Sequence, residues 1–317
     1  MWEPKYVTVI SGESPDYCVD GLADGFMRWL GKERVQVHLV LGPNGRCSEF
    51  NQLQHVYDWN DAMLSWNSEE SDLLVISTRN PSFLQMWMET HRFHCPIASV
   101  DSRDVPINET DIVSLNGLMT VAFKRELSYT TMLPTTYPCP TGLIPDPLPL
   151  LKPYQDRTIS TIFMGSISNL TRSTITSALQ AVPGSKVLLN KPIPRPDYLA
   201  LLQDAKIGVT CYGAGFESYR YWEIPQAGCL LVAQTPPILI PHNFQAGLHA
   251  LFYMSPIEML MVIKWALDHD QESEAIARAG TQHLHQYHES IHRAQWVAAV
   301  VADHLGNPDG TKMTFPF

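Results

Sequence analysis

Ile207–Ala233 reads IGVTCYGAGFESYRYWEIPQAGCLLVA. IGVTC is a short run rich in β-branched and apolar residues. It breaks at Gly213 and Gly215, which permit backbone conformations that other residues resist. A helical stretch from about Ser218 to Ala227 follows, and LLVA is again strand-like. Strand, glycine turn, helix, strand is one unit of a parallel sheet covered by helices.

The same alternation extends in both directions. Towards the C-terminus, Pro256–Asp268, Glu272–Tyr287 and about His292–Leu305 have helical spacing. Towards the N-terminus, Thr158–Met164 and Lys186–Leu189 read as strands, and Arg172–Ala181 and Pro196–Asp204 as helices. Before these, Met132–Tyr154 carries Pro134, Pro138, Pro140, Pro145, Pro147, Pro149 and Pro153. Proline removes a backbone donor and resists helix, so this segment reads as an extended connector. Upstream of it the pattern repeats. Val7–Ser11, Val35–Leu41, Leu73–Ser77 and Ile97–Val100 read as strands. Cys18–Leu30 and Phe83–Phe93, with Met86, Trp87 and Met88 as packing residues, read as helices. The expectation is two doubly wound Rossmann-like α/β domains facing a central cleft. They cover residues 1–150 and 151–295, and a C-terminal helix and tail, 296–317, packs back on the first. Such sheets bind ligands at the carboxyl ends of their strands.

Composition narrows the function. The chain has 317 residues, 45% hydrophobic and 17% charged, enough for about two globular domains. A net charge of −10 repels a phosphate backbone over long range, so no nucleic-acid partner is expected. The six cysteines form no CxxC pair and read as reduced, mostly buried thiols. The start, MWEPKYVTVISG, has no basic stretch followed by a long apolar run, and no stretch reaches the roughly 18 apolar residues of a membrane span. The reading is a cytoplasmic protein without a transmembrane segment. His283, His285, His288 and His292 lack a clean ligand spacing and read as polar helix faces, with no metal site.

Two turns carry the candidate chemistry. After Gly213 and Gly215, Ser218 reads as an N-cap, and a helix start offers free N–H groups to phosphate. Arg220 adds a charge-assisted fork. Glu223 lies one turn on, near Tyr219 and Arg220, placed to accept two hydrogen bonds from a ribose diol. Taken alone, an Arg–Glu pair at this spacing is also an ordinary surface salt bridge. The other turn is FMGSISNLTR, Phe163–Arg172, where a strand ends in Gly165 and Ser166 and a helix follows with Arg172 near its start as a second cation.

These segments together resemble the C-terminal half of the glycosyltransferases similar to the spore-maturation protein CgeB and to exostosins. The resemblance runs from FMGSISNLTR through PDYLALLQDAKIGV and GAGFESYRYWEIPQAGCLLV to EAIARAGTQHLHQYHESIHRAQ, and YRYWEIPQAG is its most specific piece. It implies the GT-B fold and transfer of a sugar from a nucleoside-diphosphate sugar donor to a hydroxyl acceptor, with no obligatory cofactor or metal. It also implies that Glu223 binds the ribose and Arg172 the pyrophosphate. Many related retaining enzymes carry another glutamate eight residues earlier. Here that position is Gly215, and Glu217 is out of register.

The N-terminal half matches more loosely, through IASVDSRDVP and VAFKREL. Asp101 lies just after a strand, where a carboxylate could deprotonate an acceptor. Asp104, Glu126 and Glu13 are rivals, and Lys124 and Arg125 either neutralise phosphate or pair with Glu126. Gly12, at the end of the first strand, is expected near the donor sugar, and the base near Asn190 and Lys191. Two other readings use the same fold: a nucleotide-sugar epimerase, and a non-catalytic nucleotide- or glycan-binding scaffold, which the missing first glutamate favours.

Overall fold

A computed structural model describes residues 2–11, 16–40, 56–57, 71–78, 95–104, 121–130, 136–148 and 150–306. The expectations for Gly12, Glu13 and the Phe83–Phe93 helix fall outside these residues. The chain divides into two compact units. One comprises Met1–Ile144, Ile238–Pro241 and Glu289–Phe317; the other comprises Pro145–Pro237 and His242–His288.

The first unit is built on a seven-stranded sheet. Its strands are β1 (Val7–Ser11), β2 (Val35–Val40), β3 (Val56–Tyr57), β4 (Leu73–Ser77), β5 (Ile97–Asp101), β6 (Val121–Lys124) and β7 (Thr136–Pro138). All neighbours are parallel, in the order β3-β2-β1-β4-β5-β6-β7. Strands β4 and β5 are buried along their whole length, as a sheet covered on both faces requires. The order reverses beside β1, the doubly wound pattern. Strand β7 corrects the reading of the proline-rich stretch as connector alone: Thr136–Pro138 pairs with β6 at the sheet's edge, where a missing donor costs no ladder bond.

Helix α1 (Tyr17–Leu30) is capped by Asp16, whose side chain accepts from the Val19 N–H. It packs against the last helix of the chain, designated α7 (Ser290–Gly306). The two run so close that a Cβ on Gly25 would sit 2.1 Å from the Ser290 carbonyl oxygen. Ser290 also donates its hydroxyl to Asp24 at 2.5 Å. Phe26 and Leu22 of α1 and Val297 and Val301 of α7 share one buried core with Val9, Val75 and Phe123 of the sheet.

The second unit holds β8 (Ile159–Gly165), β9 (Ser185–Leu189), β10 (Ala205–Thr210), β11 (Leu230–Gln234) and β12 (Leu251–Tyr253), again all parallel, in the order β12-β11-β10-β8-β9. Its helices are α2 (Leu170–Leu179), α3 (Arg195–Gln203), α4 (Arg220–Gln226), α5 (Pro256–Asp268) and α6 (Asp270–Tyr287). Phe163, Ile207, Val209, Leu230 and Val232 from the strands meet Ile175, Leu179, Met259 and Ile263 from α2 and α5 in its core. The strand order reverses between β8 and β10. In doubly wound sheets that is where a ligand crevice opens, outside the carboxyl ends of the two strands. No helix among the described residues is long and apolar enough to cross a membrane.

Candidate functional site

The loops leaving β8 and β10 meet at this switch point, and Arg172 ties them together. Asn169 caps α2 by accepting the Arg172 N–H at 2.8 Å, and its amide donates to the Gly213 carbonyl at 2.7 Å. The Arg172 side chain turns inward, 7% exposed. Its Nε donates to the Tyr212 carbonyl at 2.9 Å and its Nη1 to the Ser166 carbonyl at 3.0 Å. The guanidinium lies where Gly213 has no side chain: a Cβ there would stand 2.4 Å from Nη2. The glycine turn therefore makes room for a cation.

Arg220, the first residue of α4, lies beside it. Its guanidinium carbon is 5.5 Å from the centre of the Phe163 ring. A Cβ on Gly165 would be 3.0 Å from its Nη1, so Gly165 clears space for Arg220 as Gly213 does for Arg172. Burial first, and then the charge of Arg220, push the Arg172 pKa below the ordinary guanidinium value, although Arg172 stays protonated at any physiological pH. Among the described residues neither guanidinium has a carboxylate within ion-pair distance, and the buried Arg220 Nε has no acceptor. Two adjacent cations, one with an unused donor, are an arrangement that can receive an anion.

The start of α4 differs from the expected helix start. The helix begins at Arg220 with Tyr219 as its cap residue, and no side chain caps it. Ser218 is not the N-cap: its hydroxyl pairs with Thr210 at 2.7 Å, while its carbonyl accepts the Tyr221 N–H. The glycine turn is closed instead by Gly213 N–H donating to the Gly215 carbonyl at 2.8 Å. Glu217 is buried and accepts from the Trp222 indole at 2.5 Å, so this acid anchors the wholly buried Trp222.

Glu223 is on the next turn of α4, its side chain 6% exposed. One carboxylate oxygen accepts from Arg195 and the other from the Tyr198 hydroxyl at 2.6 Å. Arg195 reaches on to Asp146, through Nε at 3.3 Å and also through Nη2. Sequence reasoning missed Arg195, Tyr198 and Asp146. The sole signal was an arginine between Pro194 and Pro196 at a helix start. Asn190 takes φ 53° and accepts from the Ile167 N–H at 3.1 Å, bracing the loop after β8 from the end of β9.

In the first unit, the carboxyl ends of β5 and β6 hold a separate charged group. Asp101 is buried and accepts from the Arg103 backbone at 3.0 Å and from its guanidinium at Nε and Nη2, both at 2.9 Å; Lys124 Nζ stands 3.4 Å away. Burial alone would raise the Asp101 pKa. The Arg103 hydrogen bonds and the Lys124 charge outweigh it, so the pKa falls below the usual aspartate value. A carboxylate so held is a weak proton acceptor. Lys124 also donates to the Arg103 carbonyl at 2.7 Å, and Arg125 pairs with Asp104.

Two of the histidines share a backbone partner. His283 and His288 both contact the His242 carbonyl through Nε2, at 2.6 and 2.8 Å, and His283 stacks on His249 with ring centres 4.0 Å apart. No group of three or more His, Cys, Asp or Glu among the described residues is arranged to hold a metal ion. Burial raises the Cys211 pKa despite the nearby Arg172, which suits packing rather than nucleophilic attack.

Comparison with known proteins agrees with this architecture. Residues 162–299 match a family model described as glycosyl transferase-like. No curated protein matches in sequence. Among solved structures, Anabaena HepE in complex with UDP and glucose is similar at TM-score 0.65 and 12% identity, covering 94% of this chain and 100% of that one. A Rickettsia africae glycosyltransferase is similar at TM-score 0.67 and 9% identity, covering 96% and 99%. A Listeria monocytogenes putative UDP-N-acetylglucosamine 2-epimerase is similar at TM-score 0.54 and 11% identity, covering 99% and 100%. The chain thus consists of two Rossmann-like α/β domains with the GT-B fold of solved glycosyltransferases, and its residues 162–299 are similar to a glycosyl transferase-like family.

Proposed function

We propose that the protein is a glycosyltransferase of the CgeB-like and exostosin-like kind, taking a sugar from a nucleoside-diphosphate sugar to a hydroxyl acceptor. The observation that carries this is the adjacent pair of guanidiniums, Arg172 and Arg220, at the switch point of the second sheet, with no carboxylate among the described residues within ion-pair distance. A diphosphate supplies the missing charge. As the glycosidic bond breaks, negative charge builds on the leaving diphosphate, and fixed cations there stabilise the transition state without reorganising. They supply charge that a metal ion provides in other enzymes. Glu223, one turn along α4, accepts the ribose hydroxyls. Asp101 becomes a competent base for the acceptor only when Arg103 swings away, and Glu13 is its rival for that role. UDP is the first nucleotide to try, because HepE holds it.

The test is a thermal-shift screen of UDP, GDP, ADP, TDP and CDP and their common sugars, on wild type and Glu223→Ala. A ligand at a hundred times its Kd stabilises by about 2.7 kcal/mol. The reading expects one nucleotide series to raise the melting temperature of wild type and to do so less in the variant. If no series shifts wild type, the scaffold reading gains. Turnover of a sugar nucleotide into its epimer, without an acceptor, would favour the epimerase reading.

A further inference from the structure

Glu223 does not stand free to meet a ribose. Its two oxygens each have a protein partner, and the cation among them, Arg195, is shared with a second carboxylate. Arg195 lies between Pro194, whose φ is −53°, and Pro196, so its backbone is confined where α3 begins. Tyr198 follows three residues later, on the same side of the helix. The Arg195 guanidinium sits 5.3 Å from the centre of the Tyr198 ring. One fork of the guanidinium grips Asp146 through Nε and Nη2, and the remaining Nη1 reaches Glu223. A carboxylate has about four lone-pair directions. Arg195 and Tyr198 use one on each oxygen, which leaves one on each for a diol.

We infer that Arg195 is a positioning residue. Bridging Asp146 and Glu223, it fixes the Glu223 carboxylate in the orientation that accepts both ribose hydroxyls, and so sets a preference for ribose over deoxyribose. The inference rests on the nucleotide reading above. A lysine in its place keeps the charge but cannot grip Asp146 with two nitrogens and Glu223 with a third.

The experiment is calorimetric titration of wild type, Arg195→Ala and Arg195→Lys with UDP, GDP and ADP, each beside its 2′-deoxy form, and with inorganic pyrophosphate. Wild type should favour the ribonucleotide by at least about tenfold, the range for a hydrogen bond to a charged group. Both variants should bring that ratio within about threefold of unity, while pyrophosphate, held by Arg172 and Arg220, binds them as it binds wild type. If the variants keep the ribose preference of wild type, the inference falls and the nucleotide reading stands. Equal losses for nucleotide and pyrophosphate would make Arg195 a general support of the domain and also overturn it. If wild type binds nucleotides but does not discriminate, or binds none of the six, the reading of Glu223 itself fails and takes the inference with it. Should Arg195→Ala not fold, Arg195→Lys carries the same comparison.

Discussion

Replacing Gly213 by alanine tests whether the glycine turn exists to seat a cation. Its φ is outside the left-handed region, so alanine strains no backbone there, and the effect is steric alone. The new Cβ would meet Arg172 Nη2 at 2.4 Å, about 1 Å short of ordinary van der Waals contact. A long side chain could swing aside cheaply, but this one is pinned by a rigid planar group bonded to the Tyr212 and Ser166 carbonyls. Moving Nη2 by about 1 Å carries Nε and Nη1 with it and stretches both bonds past hydrogen-bond range. Two charge-assisted bonds, partly replaced by water, come to about 2–4 kcal/mol. At roughly 2–4 °C per kcal/mol, the melting temperature should fall by about 5–15 °C. UDP, if it is the ligand, should bind about 10–100-fold more weakly, as one charged contact is lost. Differential scanning calorimetry and titration of four proteins decide it: wild type, Gly213→Ala, Arg172→Ala and the double variant. Once Arg172 is gone the clash is gone, so the double variant should be no worse than Arg172→Ala alone. Additive losses, or a Gly213→Ala protein that melts and binds as wild type, would refute the argument.

Two further outcomes follow from the charged groups. Asp101→Asn leaves Lys124 buried beside a neutral amide and should cost about 3–5 kcal/mol in urea unfolding at pH 7. Because the folded-state pKa of Asp101 is depressed, its contribution is complete above the unfolded value near 4 and is lost as pH falls through the folded value, so variant and wild type should converge in acid. His283 also has a depressed pKa, through burial, with the bond to the His242 carbonyl opposing. It is held neutral in the fold while the unfolded chain takes up protons below about pH 6.5, so stability should decline as pH drops through that value. His283→Gln, which keeps a donor for the carbonyl, should flatten that decline between pH 7.5 and 5.5.

Much of the fold could be read from the sequence because its signals are local. LLVI at 73–76 and LLVA at 230–233 are unbroken apolar runs that suit a doubly covered strand. The helical spacing over Pro256–Asp268 gave α5 to the residue. The strands that escaped notice, β3, β6 and β12, are two, four and three residues long, too short for a period to show. Strand β7 was hidden by its own proline. Within the site, Arg172, Arg220 and Glu223 stood out because each follows a glycine turn or lies one helical turn beyond it. Asp146 and Arg195 did not, since 49 residues separate them and their meeting depends on how the segment after Ile144 folds back over α3. Ser218 shows the opposite error: a good capping residue at a good position, whose hydroxyl is taken by Thr210 from the neighbouring strand.

The pairing of α1 with α7 has a consequence for how the molecule is made. Asp24 and Ser290 are 266 residues apart in the chain yet share a hydrogen bond. At about 5–20 residues per second, a ribosome needs roughly 15–50 s to get from one to the other. Throughout that interval the side of α1 that meets α7 lacks that partner helix. The second unit is interrupted only by Ile238–Pro241, so it can complete its core while the first still waits. The first unit to be synthesised is therefore the last to close, and a nascent chain halted before Ser290 carries an exposed apolar surface for chaperones to hold.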